Sequence, residues 1–152
     1  RDVEEMEASR LVAKANAKMA RIENSVRDAA KLGFERNTYG SYYRPAALDD
    51  VFALLEQAER IHPLGGATRY LRAGYLAWAG RWPEAAATYE EVLASFPSYA
   101  SPAMMQLAWV YGLMGNLDRT RALLDRHNAQ LLSEGSPLPP VKIEQLNLEE
   151  FW

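Results

Sequence analysis

Apolar residues recur along the chain at helical spacing and are interrupted by glycine and proline. The clearest stripe follows the i, i+3, i+4, i+7 spacing of one helix face and consists of Trp82, Ala85, Ala86, Tyr89, Val92, Leu93 and Phe96. Because polar residues fall between these positions, the stripe predicts an amphipathic helix. Applied to the whole chain, the pattern predicts an all-α fold without strands, with helices at about 47–62, 66–79, 82–96, 101–114 and 117–133.

Two of the predicted helix pairs repeat each other. A shift of 35 residues superposes Ala73 on Ala108 and Gly80 on Gly115. Both glycines stand where a helix should end, since glycine adopts the left-handed conformation of a helix C-terminus without steric cost. A fixed period of this length is typical of helical repeat proteins, in which each unit is one pair of helices.

The repeated pattern of a small residue, an aromatic residue, a glycine, a second aromatic residue, an alanine and a proline resembles the tetratricopeptide repeat. Its signature positions hold Ala73, Gly80, Trp82, Ala85, Tyr89 and Pro97 in one unit, and Met104, Leu107, Ala108, Tyr111, Gly115, Leu117 and Leu124 in the next. The later unit departs from the family pattern at Thr120 and His127 and lacks the closing proline. The resemblance covers about two and a half repeats over residues 47–133 and implies a short right-handed superhelix of helical hairpins.

A long helix is predicted ahead of the repeats, over residues 3–35, which lack proline throughout and glycine until Gly33. Its apolar residues step by three and four positions in a heptad seam made of Val12, Ala15, Met19, Ile22, Val26 and Ala29. The seam either packs on the repeats as a capping helix or pairs with another chain. In the second case Val12, Met19, Ile22 and Val26 would form the contact of a homo-oligomer.

The chain is therefore expected to divide into four segments. These are a long N-terminal helix at 1–36, a tyrosine-rich loop at 37–46, the repeats at 47–133, and a proline-rich linker with a C-terminal docking or capping segment at 134–152. The loop stands where the first helix of the first repeat is expected. Aromatic residues in the loop and at the C-terminal end either pack onto the domain or dock on a partner: Tyr39, Tyr42, Tyr43, Phe151 and Trp152.

Composition narrows the function. The 152 residues are 49% hydrophobic and 24% charged, as in an ordinary globular domain. The absence of cysteine excludes disulfides, thiolate metal ligands and cysteine nucleophiles, and the net charge of −3 argues against a nucleic-acid partner. The excess of arginine over lysine favours a bacterial source, in the cytoplasm or the periplasm. Since the chain begins at Arg1 and not at methionine, an upstream membrane anchor is left open.

No constellation of residues indicates catalysis. Neither His62 nor His127 has a helical partner at a metal-binding spacing, and the adjacent carboxylates Asp49 and Asp50 point in different directions on a helix. The Gly65-Gly66 turn lacks the lysine and the spacing of a phosphate-binding loop. We therefore expect no enzyme, no metal and no cofactor.

In the tetratricopeptide family the first helix of each pair lines a concave groove. The resemblance places Tyr70, Gly74, Trp78, Met105, Gln106 and Trp109 there. Tyrosine, tryptophan and methionine are enriched at interfaces, so this groove suits a protein or peptide segment with apolar anchors. Alternatively, Trp78 and Trp109 fill the core between repeats, or contact the N-terminal helix or the C-terminal tail. The lysines and asparagines of a chaperone carboxylate clamp are missing, which argues against that function.

Two arginines near the entrance of this groove, Arg69 and Arg72, either hold a carboxylate of the partner or are solvated. The sequence thus favours a non-enzymatic protein–protein interaction module, a scaffold or adaptor subunit of a larger complex. The alternative is an accessory soluble domain or subunit of a bacterial membrane-bound enzyme such as a glycan ligase, since some of these enzymes carry loosely similar repeats. In that case the chain would join a membrane complex through a partner or an upstream anchor.

Overall fold

Six α-helices form most of the computed structural model, which describes residues 2–24 and 33–152. They are α1 (Val3–Asn24), α2 (Pro45–Ile61), α3 (Ala67–Trp78), α4 (Trp82–Ser95), α5 (Ala100–Leu113) and α6 (Leu117–Ser133). Helices α2 to α6 begin and end within two residues of the predicted bounds. The predicted all-α repeat fold is confirmed.

The turns inside the last two helical hairpins have the same geometry. Gly80 between α3 and α4 has a φ angle of 83°, and Gly115 between α5 and α6 has a φ angle of 81°. The amide of Arg81 donates to the carbonyl of Leu76 at 3.0 Å, and the amide of Asn116 donates to that of Tyr111 at 2.9 Å. Each turn therefore ends its helix with the glycine motif that the repeat predicted.

Helix α1 packs along α2 and completes a first hairpin. Its seam faces the chain's own core, where Ala15, Met19 and Ile22 are buried and Val12 packs beside them. The capping arrangement is therefore the one observed. Met19 and Ile22 are buried within one chain and so do not offer the surface that the alternative homo-oligomer contact needs, whereas Val12 is half-buried. Val26 and Ala29 lie outside the described residues.

The predicted helix over residues 3–35 is observed as α1 and does not extend over residues 33–35, while residues 25–32 lie outside the described part of the chain. The prediction of no strand is wrong. Strand β1 (Glu35–Arg36) pairs antiparallel with β2 (Tyr42–Tyr43), and Glu35 lies opposite Tyr43. The side-chain oxygen of Asn37 accepts hydrogen bonds from the amides of Tyr39 and Ser41, both at 2.9 Å, and so closes the turn. An asparagine of this kind stabilises a turn through its own backbone neighbours. We call residues 35–43 the β-hairpin.

Ion pairs join the helices on one side of the repeats. The guanidinium of Arg69 on α3 bonds to Glu59 on α2 and to Glu91 on α4. The Nη2 atom of Arg72 lies 3.4 Å from the Oε1 atom of Glu56. Both arginines are therefore paired within the chain, and neither is the solvated or partner-binding cation expected. Within the described residues, 2–24 and 33–152, no helix is both long and apolar enough to cross a membrane.

Candidate protein-binding site

The three groove residues predicted on α3 take part in packing within the chain. The half-buried ring of Tyr70 lies 5.8 Å from that of Tyr89 and 5.2 Å from that of Tyr99, measured between centroids. Burial raises the pKa of Tyr70, and Tyr99 adds to the shift. A Cβ at Gly74 would lie 3.5 Å from the Tyr89 hydroxyl, which shows how closely α3 and α4 approach each other.

Trp78, the last of these α3 residues, is also part of the packing. Its ring lies 5.2 Å from that of Tyr43 on β2. Tyr43 is fully buried, and its hydroxyl lies 2.8 Å from a carboxylate oxygen of Glu35 and 3.2 Å from the Ala79 carbonyl. Burial, with Glu35 contributing, raises the pKa of Tyr43 to about 12. The β-hairpin is therefore fixed to the end of α3.

The three groove residues predicted on α5 line an open cleft of about 360 Å³. Met105 and Trp109 are half-buried and Gln106 is exposed. Tyr39 and residues from the C-terminal end of the chain, including Leu146 and Phe151, supply the rest of the lining. We call Met105, Gln106 and Trp109 the α5 face.

Three aromatic rings from distant parts of the sequence meet above the α5 face. Tyr39 lies 6.4 Å from Trp109 and 5.8 Å from Phe151, and Trp109 lies 5.6 Å from Phe151. The first contact is stacked and the other two are edge-to-face, which are the favoured geometries of aromatic pairs. Tyr39 is nevertheless 60% exposed. We call these three residues the aromatic trio.

Thr38 holds Tyr39 in place above α5. The amide of Thr38 donates to the carbonyl of Trp78 at 2.9 Å, and its hydroxyl donates to the carbonyl of Ala77. The indole of Trp82 in turn donates to the Thr38 hydroxyl oxygen at 2.9 Å. These bonds supply hydrogen-bond donors to carbonyl groups at the end of α3, and they anchor the turn of the β-hairpin.

The C-terminal residues 141–152, which we call the terminal segment, cross from α6 to α5. At its start, the side chain of Asn128 accepts from the amide of Val141 at 2.8 Å and donates to its carbonyl at 2.9 Å. Two short 3-10 turns follow, Ile143–Leu146 and Leu148–Glu150, separated by Asn147 in the left-handed conformation. This change of direction brings Leu148 onto α5.

The terminal segment packs on α5 at Gly112. A Cβ at this glycine would lie 2.5 Å from the Cδ1 atom of Leu148, so a larger residue would force the Leu148 side chain out of this position. The indole N–H of Trp152 donates to the Gly112 carbonyl at 3.1 Å, although the side chain is 64% exposed. Phe151 lies between them in sequence and points into the aromatic trio.

The structure thus separates the five aromatic residues that the sequence grouped as docking residues. Tyr39 and Phe151 lie in the aromatic trio, Trp152 lies on Gly112, Tyr43 is buried in the core, and Tyr42 remains 37% exposed on the β-hairpin. Sequence reasoning missed Leu148 and its close contact with Gly112. The signal was available as a glycine inside a helix, where a close approach is the usual reason for its presence.

A second cleft, of about 740 Å³, separates the β-hairpin from the end of the terminal segment. The polar side chains of Asn37, Thr38 and Trp82 in its wall are already hydrogen-bonded within the fold. Arg36 and Glu150 provide its charged groups. Among the residues that the structure describes, no three His, Asp or Glu side chains are grouped so that they could hold a metal ion.

Residues 70–99, which span most of α3 and all of α4, match the family model of the tetratricopeptide repeat. With the helical hairpins, this match confirms the predicted resemblance, and the chain contains a tetratricopeptide-like repeat. The family suggests a protein–protein interaction module. No curated protein and no solved structure matches the chain.

Proposed function

We propose that the chain is a non-enzymatic adaptor or scaffold subunit that binds a partner protein at the α5 face. The observation that carries this proposal is the open cleft in which Met105 and Trp109 stand half-buried beside exposed Gln106. Tryptophan and methionine in such a position are preferred anchors of protein interfaces. The groove residues on α3 contribute by supporting α5, and Tyr39, which stacks on Trp109, extends the apolar surface.

The chemistry of the cleft favours a partner segment with apolar anchors. Of the side chains that line it, Glu150 alone is charged, and Gln106 offers an amide donor and acceptor. Burial of an aliphatic or aromatic side chain against Trp109 would supply most of the free energy of binding. The amide of Gln106 would fix the orientation of the bound segment.

The histidines support a non-enzymatic role. The Nδ1 atom of His62 accepts the amide of Leu64 at 3.1 Å, so this imidazole organises the turn after α2. His127 is buried in α6. Neither lines the clefts described above.

The test compares two variants that carry added negative charge at exposed or partly exposed positions. Partners are captured from cells of the source organism with the parent chain, and the affinity of each purified partner is then measured by calorimetry. Gln106→Glu combined with Met105→Glu should weaken binding by about 30-fold or more, the loss expected for an interface anchor. Leu132→Glu, at an 81% exposed apolar position on α6, is the matched control and should bind like the parent. Equal affinities of the two variants would refute the proposed site.

A further inference from the structure

The terminal segment occupies the surface that the proposed function assigns to a partner. Phe151 contacts Trp109 of the α5 face, and Leu148 and Trp152 both contact Gly112 one helical turn further on. The contacts are those of a bound peptide: apolar anchors enter the surface, and one side-chain hydrogen bond reaches a helix carbonyl.

The terminal segment is held by few interactions. Its side-chain hydrogen bonds to the helices lie at its two ends, at Asn128 and Gly112. Leu148 is buried, whereas Phe151 is half-buried and Trp152 is mostly exposed. The segment contains short 3-10 turns and no α-helix. A segment with so little buried apolar surface opens with a much smaller free energy than the core does.

The anchors of the segment define a chemical pattern. Leu148 is followed three and four residues later by Phe151 and Trp152, and the intervening Glu149 and Glu150 are exposed. We propose that the α5 face, with Gly112, accepts from a partner an acidic segment with this same pattern, an aliphatic residue followed by an aromatic pair. The terminal segment is then an intramolecular occupant that the partner displaces. This proposal rests on the proposed function.

The linker between α6 and the terminal segment determines how strongly this segment competes with a partner for the α5 face. Residues 134–140 join α6 to the terminal segment and are mostly exposed. A short linker gives its segment an effective concentration on the order of millimolar at the attached site. A partner segment with the same intrinsic affinity therefore binds the parent chain more weakly than it binds a chain whose segment has been disabled.

The experiment uses the full chain and one defined probe. The probe is a fluorescent peptide of residues 141–152, amidated so that its end carries no added charge, and binding is measured by anisotropy. The acceptors are the parent and the variant Leu148→Asp/Phe151→Ala, which removes two anchors of the occupant. A second variant pair adds Gly112→Ala to each acceptor. The added Cβ occupies the space that the Leu148 side chain fills in the parent. Since alanine is favoured over glycine within a helix, the change does not weaken α5.

We expect the probe to bind Leu148→Asp/Phe151→Ala at least about tenfold more tightly than it binds the parent. Adding Gly112→Ala should remove that gain. A probe peptide carrying Leu148→Asp should not bind. Equal binding to the parent and to the opened variant would overturn the proposal, since the segment would then not compete. Absence of binding to the opened variant would also overturn it, because the surface would not accept this pattern in trans.

A second measurement follows the occupant directly. In the parent chain, the indole N–H resonance of Trp152 reports its hydrogen bond to Gly112. Saturating probe should move this resonance to its position in Leu148→Asp/Phe151→Ala, and an unmoved resonance would contradict displacement. If the peptide tests fail, the affinity measurement on Gln106→Glu combined with Met105→Glu still tests the proposed function. The two proposals can therefore be refuted independently.

Discussion

Tyr39 stacks on Trp109 with ring centroids 6.4 Å apart and ring planes 24° apart. The contact joins the turn of the β-hairpin to α5. Thr38, next to Tyr39 in this turn, donates a hydrogen bond to the Trp78 carbonyl at the end of α3. The stacking contact places a largely exposed ring directly above the α5 face. The candidate binding site is therefore assembled from two segments that are distant in sequence, with Phe151 as a third.

The energetic coupling between Tyr39 and Trp109 can be measured by a double-mutant cycle. We expect Tyr39→Ala and Trp109→Ala to show a coupling of about 0.5–1.5 kcal/mol in the free energy of unfolding, the range for aromatic pairs. Urea denaturation followed by circular dichroism provides the values. Tyr42→Ala with Trp109→Ala is the control pair and should be additive, because Tyr42 lies on β2, outside the aromatic trio. Equal coupling in both cycles would contradict the stacking.

Tyr43 makes stability fall at alkaline pH. Its pKa in the fold is about 12, against an ordinary value of 10.0, so the unfolded chain loses this proton first as the pH rises. Its contribution to stability is complete below pH 10 and is lost between about pH 10 and 12. Tyr43→Phe should be less stable at pH 7, by about 1 kcal/mol for the lost hydrogen bond, and should lose less stability over the alkaline range. Parallel pH profiles for parent and variant would refute this assignment.

Two glycines should respond oppositely to alanine. Gly115 has a φ angle of 81°, so Gly115→Ala should lower the free energy of unfolding by about 1–2 kcal/mol. Gly74 lies inside α3, where a Cβ would be 3.5 Å from the Tyr89 hydroxyl, an ordinary contact. Gly74→Ala should therefore be neutral or stabilising, by up to about 1 kcal/mol. Thermal denaturation distinguishes the two, and a loss of equal size at both positions would show that backbone conformation is not the cause.

Arg69 should contribute to stability through its two carboxylate partners. The Arg69 side chain is 28% exposed and that of Glu59 is 20% exposed, so this pair is less screened than an ordinary surface pair. We expect Arg69→Met to lower the free energy of unfolding by about 1–2 kcal/mol and to do so less in high salt. Arg121→Met, at a more exposed pair with Asp118, is the control and should cost under about 0.5 kcal/mol. Equal losses for both would refute the difference.

The repeats were predictable because their signals are local. Gly80 and Gly115 end helices through their own backbone conformation, and the stripe from Trp82 to Phe96 specifies one buried face. Neither signal depends on contacts with distant parts of the chain. For the same reason the match over residues 70–99 falls on the hairpin whose pattern is most complete.

The β-hairpin and the covered α5 face were not predictable in this way. Each strand has only two residues, which is too short for an alternating pattern, and Tyr43 is fixed by contacts with Trp78 and Ala79. The sequence left open a contact of Trp109 with the C-terminal tail, but nothing in the local pattern indicates that Trp109 meets Phe151. Their contact depends on the direction that Asn147 gives to the terminal segment.

The absence of cysteine allows a direct test of where a partner binds. Gln106→Cys places a unique thiol on the α5 face, and Leu132→Cys places one on an exposed position of α6 as the control. Each protein is labelled with a benzophenone maleimide and irradiated in an extract of the source organism, and intermolecular cross-links are identified by mass spectrometry. We expect one dominant partner to be cross-linked from position 106 and not from position 132. The same partner cross-linked from position 132 and not from position 106 would contradict binding at the α5 face.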